Sequence, residues 1–249
     1  MITSDLAESI ENAKRLGHLP IAVLDVDLTL IENAPRTRAI LRDYALSLVG
    51  VWEEASDAAV RASQMPLVFS IVENLQRLGL KTESQIRSGV EFWRGTFFTN
   101  EYCVLDEPLP GAVTAVKTLR ELGCTVVYVT ARTGEMLTGT IRTFQSLGFP
   151  IGVSGTALTL KDHPKQADKE FKAQALSWVS NLGSVVLCAE NEPAYINLMK
   201  TTFPDAHCVL VDTRHSPGAP EIMEGVLRVE SLGSFVSGER GGEKNALDT

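Results

Sequence analysis

The chain of 249 residues is 44% hydrophobic and 22% charged, which is an ordinary globular composition and excludes a disordered chain, a collagen-like repeat or a coiled coil. With 23 basic and 31 acidic residues, its formal charge of −8 argues against a general binder of nucleic acid or anionic membranes. No segment approaches the ~18 consecutive apolar residues of a membrane span, and the N-terminal residues lack the apolar region of a signal peptide. We therefore expect a cytoplasmic protein with no membrane partner.

Five apolar runs predict the strands of one sheet, at residues 21–27, 125–130, 151–153, 184–189 and 208–212. Continuous apolar runs of this length are typical of strands that are buried on both faces and therefore parallel. Helical patterns precede the first run, at residues 4–17, and accompany the later ones, at 111–122, 134–147, 168–182 and 192–202. This alternation predicts an α/β fold with a doubly wound parallel sheet.

Residues 31–106 interrupt the alternation with amphipathic helical patterns at 36–49, 66–78 and 83–97. About 75 residues are far more than a crossover between neighbouring strands needs. We therefore predict a smaller α-helical cap domain at 31–106, inserted into a core formed by 1–30 and 107–236 and followed by a flexible tail at 237–249. Packing inside this insert is the expected role of its aromatic cluster, with a substrate pocket as the alternative: Phe92, Trp93, Phe97, Phe98 and Tyr102.

The first strand ends in two aspartates, Asp25 and Asp27, which are two residues apart in the sequence Asp-Val-Asp-Leu-Thr. In extended chain both side chains point to the same side, and two carboxylates there repel each other unless a cation is present. Hard oxygen ligands favour Mg²⁺ as that cation. One carboxylate could also act as a nucleophile and the other as a proton donor and acceptor.

Polar residues also follow later strands, where ligands bind in open parallel sheets. Thr130, Ala131 and Arg132 follow the second strand, and a hydroxyl, successive backbone N–H groups and a guanidinium there suit a bound phosphate. Glu190 follows the fourth strand and can supply a third hard ligand opposite Asp25. Lys172 lies in the preceding helix, and the chain between it and Glu190 can return it to the same edge.

In this order, these residues resemble the four motifs of the haloacid dehalogenase superfamily of aspartate-nucleophile phosphohydrolases. The resemblance covers about residues 20–215, and the helical insert after the first motif looks like a cap of that superfamily. It implies that Asp25 attacks phosphorus, that Asp27 is the general acid and base, and that Thr130 and a lysine bind phosphate. It also implies that the acidic motif helps Asp25 and Asp27 to hold Mg²⁺.

Two features depart from the superfamily pattern or leave it open. The fourth motif usually begins with aspartate, and here the residue is Glu190. The phosphate-binding lysine could be Lys161, Lys165, Lys169 or Lys172, and we favour Lys172 because it leaves room for a three-turn helix and a strand before the fourth motif.

The leading hypothesis is thus a Mg²⁺-dependent phosphatase that hydrolyses a small phosphomonoester through an aspartyl-phosphate on Asp25. The alternatives are a catalytically weak or silent phospholigand-binding protein and a polynucleotide-end phosphatase, although the acidic charge disfavours a nucleic-acid partner. The cysteines lack metal-site or disulfide spacing, so we expect reduced core residues; they are Cys103, Cys124, Cys188 and Cys208.

Overall fold

The structure, a computed structural model, describes residues 3–238 of the chain. Its centre is a six-stranded sheet in which every strand pairs in parallel with its neighbours, in the order β5-β4-β1-β6-β7-β8. The strands are β1 (Pro20–Leu24), β4 (Thr125–Thr133), β5 (Thr156–Lys161), β6 (Ser184–Glu190), β7 (His207–Val211) and β8 (Val226–Val229). The predicted α/β fold with a parallel sheet is therefore confirmed.

Helices cover both faces of this sheet because successive strand residues point to opposite sides. In β1, Ala22 and Leu24 face one hydrophobic cluster, whereas Ile21 and Val23 face the other. The first cluster packs α1 (Ser4–Arg15), α6 (Ala112–Glu121), α7 (Leu137–Leu147) and α10 (Leu232–Ser237). The second cluster packs α8 (Asp168–Val179) and α9 (Pro193–Thr202).

The insert between β1 and α6 has a hydrophobic cluster of its own, built from α2 (Ala34–Ser47), α3 (Ala55–Gln64), α4 (Ile71–Leu78) and α5 (Glu83–Phe97). A 3₁₀ helix, Glu101–Leu105, follows α5. The two segments that join the insert to the core pair as antiparallel strands, β2 (Ile31–Glu32) and β3 (Glu107–Pro108). This arrangement supports the predicted division of the chain at residues 31 and 106, which stays a prediction.

Some predicted elements differ from the observed ones. The strand predicted at 151–153 is wrong: Gly152 and Gly155 both have positive φ, so this segment turns, and the strand follows at Thr156–Lys161. The first strand ends at Leu24, before the two aspartates, and the sequence reading did not predict β2, β3, β8, α3 or α10. Of the predicted tail, Ser237 ends α10, and residues 239–249 lie outside the described residues.

The sequence predicted that the four cysteines are reduced core residues. All four cysteines are free and buried. Within residues 3–238, no helix has both the length and the apolar character that crossing a bilayer requires.

Candidate functional site

The turn after β1 places the two aspartates. The Asp25 amide still donates to the Ala189 carbonyl of β6, at 3.0 Å, before the chain leaves the sheet. Leu28 then adopts a left-handed backbone conformation, with φ of 63°, which is unusual for a bulky residue. The Thr213 hydroxyl holds this conformation by donating to the Leu28 carbonyl, at 2.6 Å. The turn is thus fixed from the loop after β7 as well as from its own strand.

Asp25, Lys172 and Glu190 form a buried cluster at the carboxyl edge of the sheet. Lys172 Nζ lies 2.5 Å from Asp25 Oδ1 and 2.7 Å from Glu190 Oε2, and it also donates to the Val129 carbonyl at 3.2 Å. The Thr29 hydroxyl donates to Asp25 Oδ2 at 2.9 Å. The structure therefore brings together the predicted nucleophile, the predicted lysine and the predicted fourth-motif carboxylate.

The charges in this cluster do not balance. Burial raises the pKa of Asp25, and Lys172 offsets part of that effect. Burial and the neighbouring Asp25 raise the pKa of Glu190 to about 7. Burial alone would lower the pKa of Lys172, but the two carboxylates raise it above its ordinary value. Two buried carboxylates against one ammonium leave one excess negative charge when both are ionised.

The Asp27 carboxylate points to a different set of partners. Arg132 contacts it through two nitrogens, with Nε 2.7 Å from Oδ2 and a terminal nitrogen 2.9 Å from Oδ1. Arg36, which lies in α2 of the insert, contacts Oδ1 at 2.7 Å, and Asn33 donates to the same oxygen at 3.2 Å. Burial alone would raise the pKa of Asp27, but Arg132 and Arg36 hold it well below its ordinary range.

Asp106 completes this second group at the other end of the insert. Its carboxylate lies 2.7 Å from a terminal nitrogen of Arg132 and 3.0 Å from Nε of Arg36. The side chains of Arg36 and Asp106 are fully buried, whereas that of Asp27 is 27% exposed. Two carboxylates and two guanidinium groups form a neutral network that joins the insert to the core.

The remaining predicted residues of the second motif adjoin this network. The buried Thr130 accepts a hydrogen bond from the Arg132 amide at 3.3 Å. Thr130, Ala131 and Arg132 line a cavity that Asp25, Asp27, Lys172 and Glu190 also line. Arg132 donates to Thr140 at 3.1 Å in addition to its two carboxylate partners. As arranged, its guanidinium therefore contacts protein acceptors on all sides.

Of the four candidate lysines, the structure places one at the cavity. Lys172 lines the cavity, and Lys161, Lys165 and Lys169 are not among its lining residues. Lys161 instead pairs with Asp168, at 2.6 Å.

A magnesium ion fits part of the predicted ligand set. Within residues 3–238, no group of three or more histidine, cysteine or acidic side chains is arranged to hold a metal ion. The Asp27 carboxylate, which was predicted as a ligand, faces the guanidinium groups of Arg36 and Arg132. Asp25 and Glu190 nevertheless supply two hard oxygen donors with excess negative charge, which is the chemistry that Mg²⁺ prefers.

A cavity of about 580 Å³ lies between the core and the insert and joins both groups of charged residues. Core residues such as Asp25, Thr130 and Lys172 form its floor. The insert contributes aromatic side chains to its wall: Phe69, Trp93, Phe97 and Phe98. Three of the aromatic residues for which packing inside the insert was expected therefore also line the cavity.

The sequence reading missed Arg36, Asp106 and Asn33. One signal was available for Arg36: it lies four residues before Ile40 and eight before Tyr44, on a helix stripe that is otherwise apolar and buried. A charged residue on such a stripe indicates a buried partner.

Neither a protein-family model nor a curated protein sequence matches the chain. Similar solved structures include a candidate phosphatase from Clostridium difficile, with a TM-score of 0.54 and 13% identity over 88% of this chain and 98% of that one. A candidate beta-phosphoglucomutase from Thermotoga maritima has a TM-score of 0.51 and 16% identity over 88% and 97%. Protein Tyrosine Kinase A from Mycobacterium tuberculosis has a TM-score of 0.50 and 17% identity over 85% and 93%.

At these identities the likeness concerns the fold, and the three names describe different activities. The four residues that were predicted from the motifs line one cavity; they are Asp25, Thr130, Lys172 and Glu190. The chain has the haloacid dehalogenase-like fold.

Proposed function

We propose that the protein is a Mg²⁺-dependent phosphatase that hydrolyses a phosphomonoester through an aspartyl-phosphate on Asp25. The observation that carries the proposal is the cluster in which Lys172 Nζ contacts both Asp25 and Glu190, on the floor of a cavity that the insert covers. A carboxylate beside a buried ammonium, open to a cavity, is suited to attack a phosphoryl group and to have the developing charge offset.

The other residues take roles that follow from their contacts. Lys172 holds Asp25 in place by its 2.5 Å contact and carries the positive charge closest to the attacking oxygen. Thr130 and the backbone amide of Ala131, both near the carboxyl end of β4, are the proposed phosphate ligands. Arg132 acts through Asp27, because its nitrogens contact the carboxylates of Asp27 and Asp106.

Asp27 is the proposed general acid and base. The guanidinium groups of Arg36 and Arg132 fix its orientation and favour its ionised state, which is the state that acts as the base and accepts a proton from an attacking water. To act as the acid, the carboxylate must first take up a proton against these two positive charges, and it then donates that proton to the leaving group. Its exposed fraction faces the cavity, so a water molecule near Asp25 can reach it.

Asp25, Glu190 and the carbonyl of Asp27 would hold Mg²⁺. When bound, the ion neutralises charge on the phosphoryl oxygens and on the two carboxylates.

Turnover of p-nitrophenyl phosphate, with and without EDTA, tests this function. The parent protein should release p-nitrophenolate only when Mg²⁺ is present, and Asp25→Asn should abolish turnover. Asp57→Asn, at an exposed position of α3, is the matched control and should keep the parent rate. Turnover that survives in Asp25→Asn would refute the nucleophile.

A silent phospholigand-binding protein is the second candidate, and one observation favours it. Lys172 already contacts three protein acceptors, namely Asp25, Glu190 and the Val129 carbonyl. A lysine whose three N–H groups are all satisfied has no donor left for a phosphate unless one contact is exchanged. Binding of orthovanadate or phosphate by calorimetry without turnover of any ester would support this candidate.

Hydrolysis of end-phosphorylated oligonucleotides alone would instead support a polynucleotide-end phosphatase.

A further inference from the structure

The cavity extends well beyond the carboxylate and lysine cluster. Its volume of about 580 Å³ lies in the range of ~300–1,000 Å³ that is typical of small-molecule pockets. A phosphoryl group at Asp25 fills only the floor of such a space. The rest of the cavity must therefore accommodate the group to which the phosphate is esterified.

The insert lines this upper part of the cavity with uncharged side chains. Among the described residues, its contribution consists of aromatic and aliphatic side chains with a few small polar ones. Two of the polar ones are already engaged, since Asn74 exchanges hydrogen bonds with the Val68 backbone at 2.8 and 2.9 Å and Ser70 caps α4. These residues shape the loop before α4. Among the described residues, the buried indole N–H of Trp93 has no hydrogen-bond partner, so the wall keeps one unsatisfied donor beside its aromatic surface.

The aromatic residues form a pre-assembled wall. The Phe97 ring contacts the Arg36 guanidinium, which lies 4.0 Å from its centre, and it stacks on the Trp93 ring with 4.4 Å between the ring centres. Phe98 packs edge-on against both rings, at 5.1 and 5.7 Å. Phe98 is 39% exposed and Phe69 is 47% exposed, although both line the cavity. Exposed aromatic surface that adjoins a half-buried aromatic stack is typical of a binding site.

We propose that the alcohol portion of the substrate carries a planar, uncharged ring, which packs against the wall of Phe69, Trp93 and Phe98 while the phosphoryl group lies at Asp25. The preferred class is therefore an aryl-bearing or nucleoside phosphomonoester rather than an open-chain sugar phosphate. This inference rests on the proposed function, because it takes the floor of the cavity as the phosphoryl site.

Non-hydrolysable ligands separate ring recognition from catalysis. Calorimetry in the presence of Mg²⁺ compares benzylphosphonate with methylphosphonate, which share the phosphonate group and differ in the ring. The parent protein should bind benzylphosphonate about tenfold more tightly. Phe98→Ala and Phe69→Ala should each lose about 3- to 10-fold of that affinity and leave methylphosphonate unchanged, as expected for the loss of one aromatic contact.

The matched control is Trp178→Ala, a similarly exposed aromatic residue of α8, 45% exposed, which does not line the cavity. It should leave both affinities at the parent values. Equal binding of the two phosphonates, binding of neither, or equal losses for both in Phe98→Ala would overturn the inference.

Hydrolysis of 2-phenylethyl phosphate and ethyl phosphate completes the test, since both release a simple alkoxide. A higher kcat/KM for the phenylethyl ester, lost in Phe98→Ala, supports ring recognition during turnover. If neither ester is hydrolysed while benzylphosphonate keeps its advantage, the proposed function fails and the ring site stands.

Discussion

Replacement of Arg36 by methionine tests the neutral network that joins the insert to the core. The substitution keeps an unbranched side chain in α2 and removes a guanidinium whose side chain is fully buried. It deletes the contacts with Asp27 at 2.7 Å and with Asp106 at 3.0 Å, and the hydrogen bond to the Phe97 carbonyl at 3.3 Å. The fully buried Asp106 then keeps only Arg132 as a charged partner.

Breaking a buried ion pair by removing one partner costs about 3–5 kcal/mol, because a charge stays behind without compensation. Since Arg132 still pairs with both carboxylates, we expect the lower end, about 3 kcal/mol of unfolding free energy. That is a large part of the ~5–15 kcal/mol that a typical domain has in total.

Arg38→Met is the matched control in the same helix. Arg38 donates to the Met65 carbonyl at 3.1 Å, so its loss should cost about 1 kcal/mol. Urea unfolding followed by circular dichroism gives both values, provided that the slope with denaturant is unchanged.

A double-variant cycle with Asp106→Asn checks the cause. Because the second substitution removes the stranded carboxylate, the double variant should be more stable than additivity predicts, by about 1–2 kcal/mol. Additive losses, or a loss in Arg36→Met within about 0.5 kcal/mol of that in Arg38→Met, would refute the role of Arg36 as the charge partner of Asp106.

Three further predictions concern the metal, the general acid and the packing of the core. Glu190→Gln should raise the Mg²⁺ concentration needed for half-maximal activity at least about tenfold. Glu192→Gln should not, because the Glu192 carboxylate contacts Ser216 in a loop. The opposite result in a Mg²⁺ titration would place the fourth motif two residues later. Asp27→Asn should lose about 10²–10⁴ in kcat on alkyl phosphates and clearly less on p-nitrophenyl phosphate, so equal losses on both esters would contradict a role in protonating the leaving group. Gly111→Ala should lower the unfolding free energy by more than about 1 kcal/mol, because φ is +69° and a Cβ would lie 2.9 Å from a backbone atom of α10. Gly95→Ala is the control: its added Cβ meets no atom within 4 Å, so urea unfolding should show a neutral or stabilising effect.

The sequence was sufficient for four of the six strands of the main sheet and for the residues at the ends of its central strands. Asp25 and Glu190 follow apolar runs that read as β1 and β6, and parallel strands bring such positions to one edge. Lys172 was accessible through spacing, because a helix and a strand between it and Glu190 return the chain to that edge. The edge strand Thr156–Lys161 was harder, since alternating threonine and leucine on a partly exposed strand give no continuous apolar run.

The partners of Asp27 could not be predicted in the same way. Arg36 and Asp106 lie at opposite ends of the insert, and they meet only because β2 and β3 pair and bring those ends together. Each strand has two residues, too short for any pattern to reveal. Pairings of this kind depend on tertiary contacts, whereas motif positions at strand ends depend only on the order of elements.

The site thus contains two groups of charges with different balances, and the difference explains how the insert and the chemistry are linked. Asp27, Asp106, Arg36 and Arg132 neutralise one another, so this network can be buried without an added ion. The cluster of Asp25, Glu190 and Lys172 keeps one excess negative charge when ionised, which favours a cation there. Arg36 belongs to the insert, so attachment of the insert over the cavity and orientation of the Asp27 carboxylate depend on the same side chain.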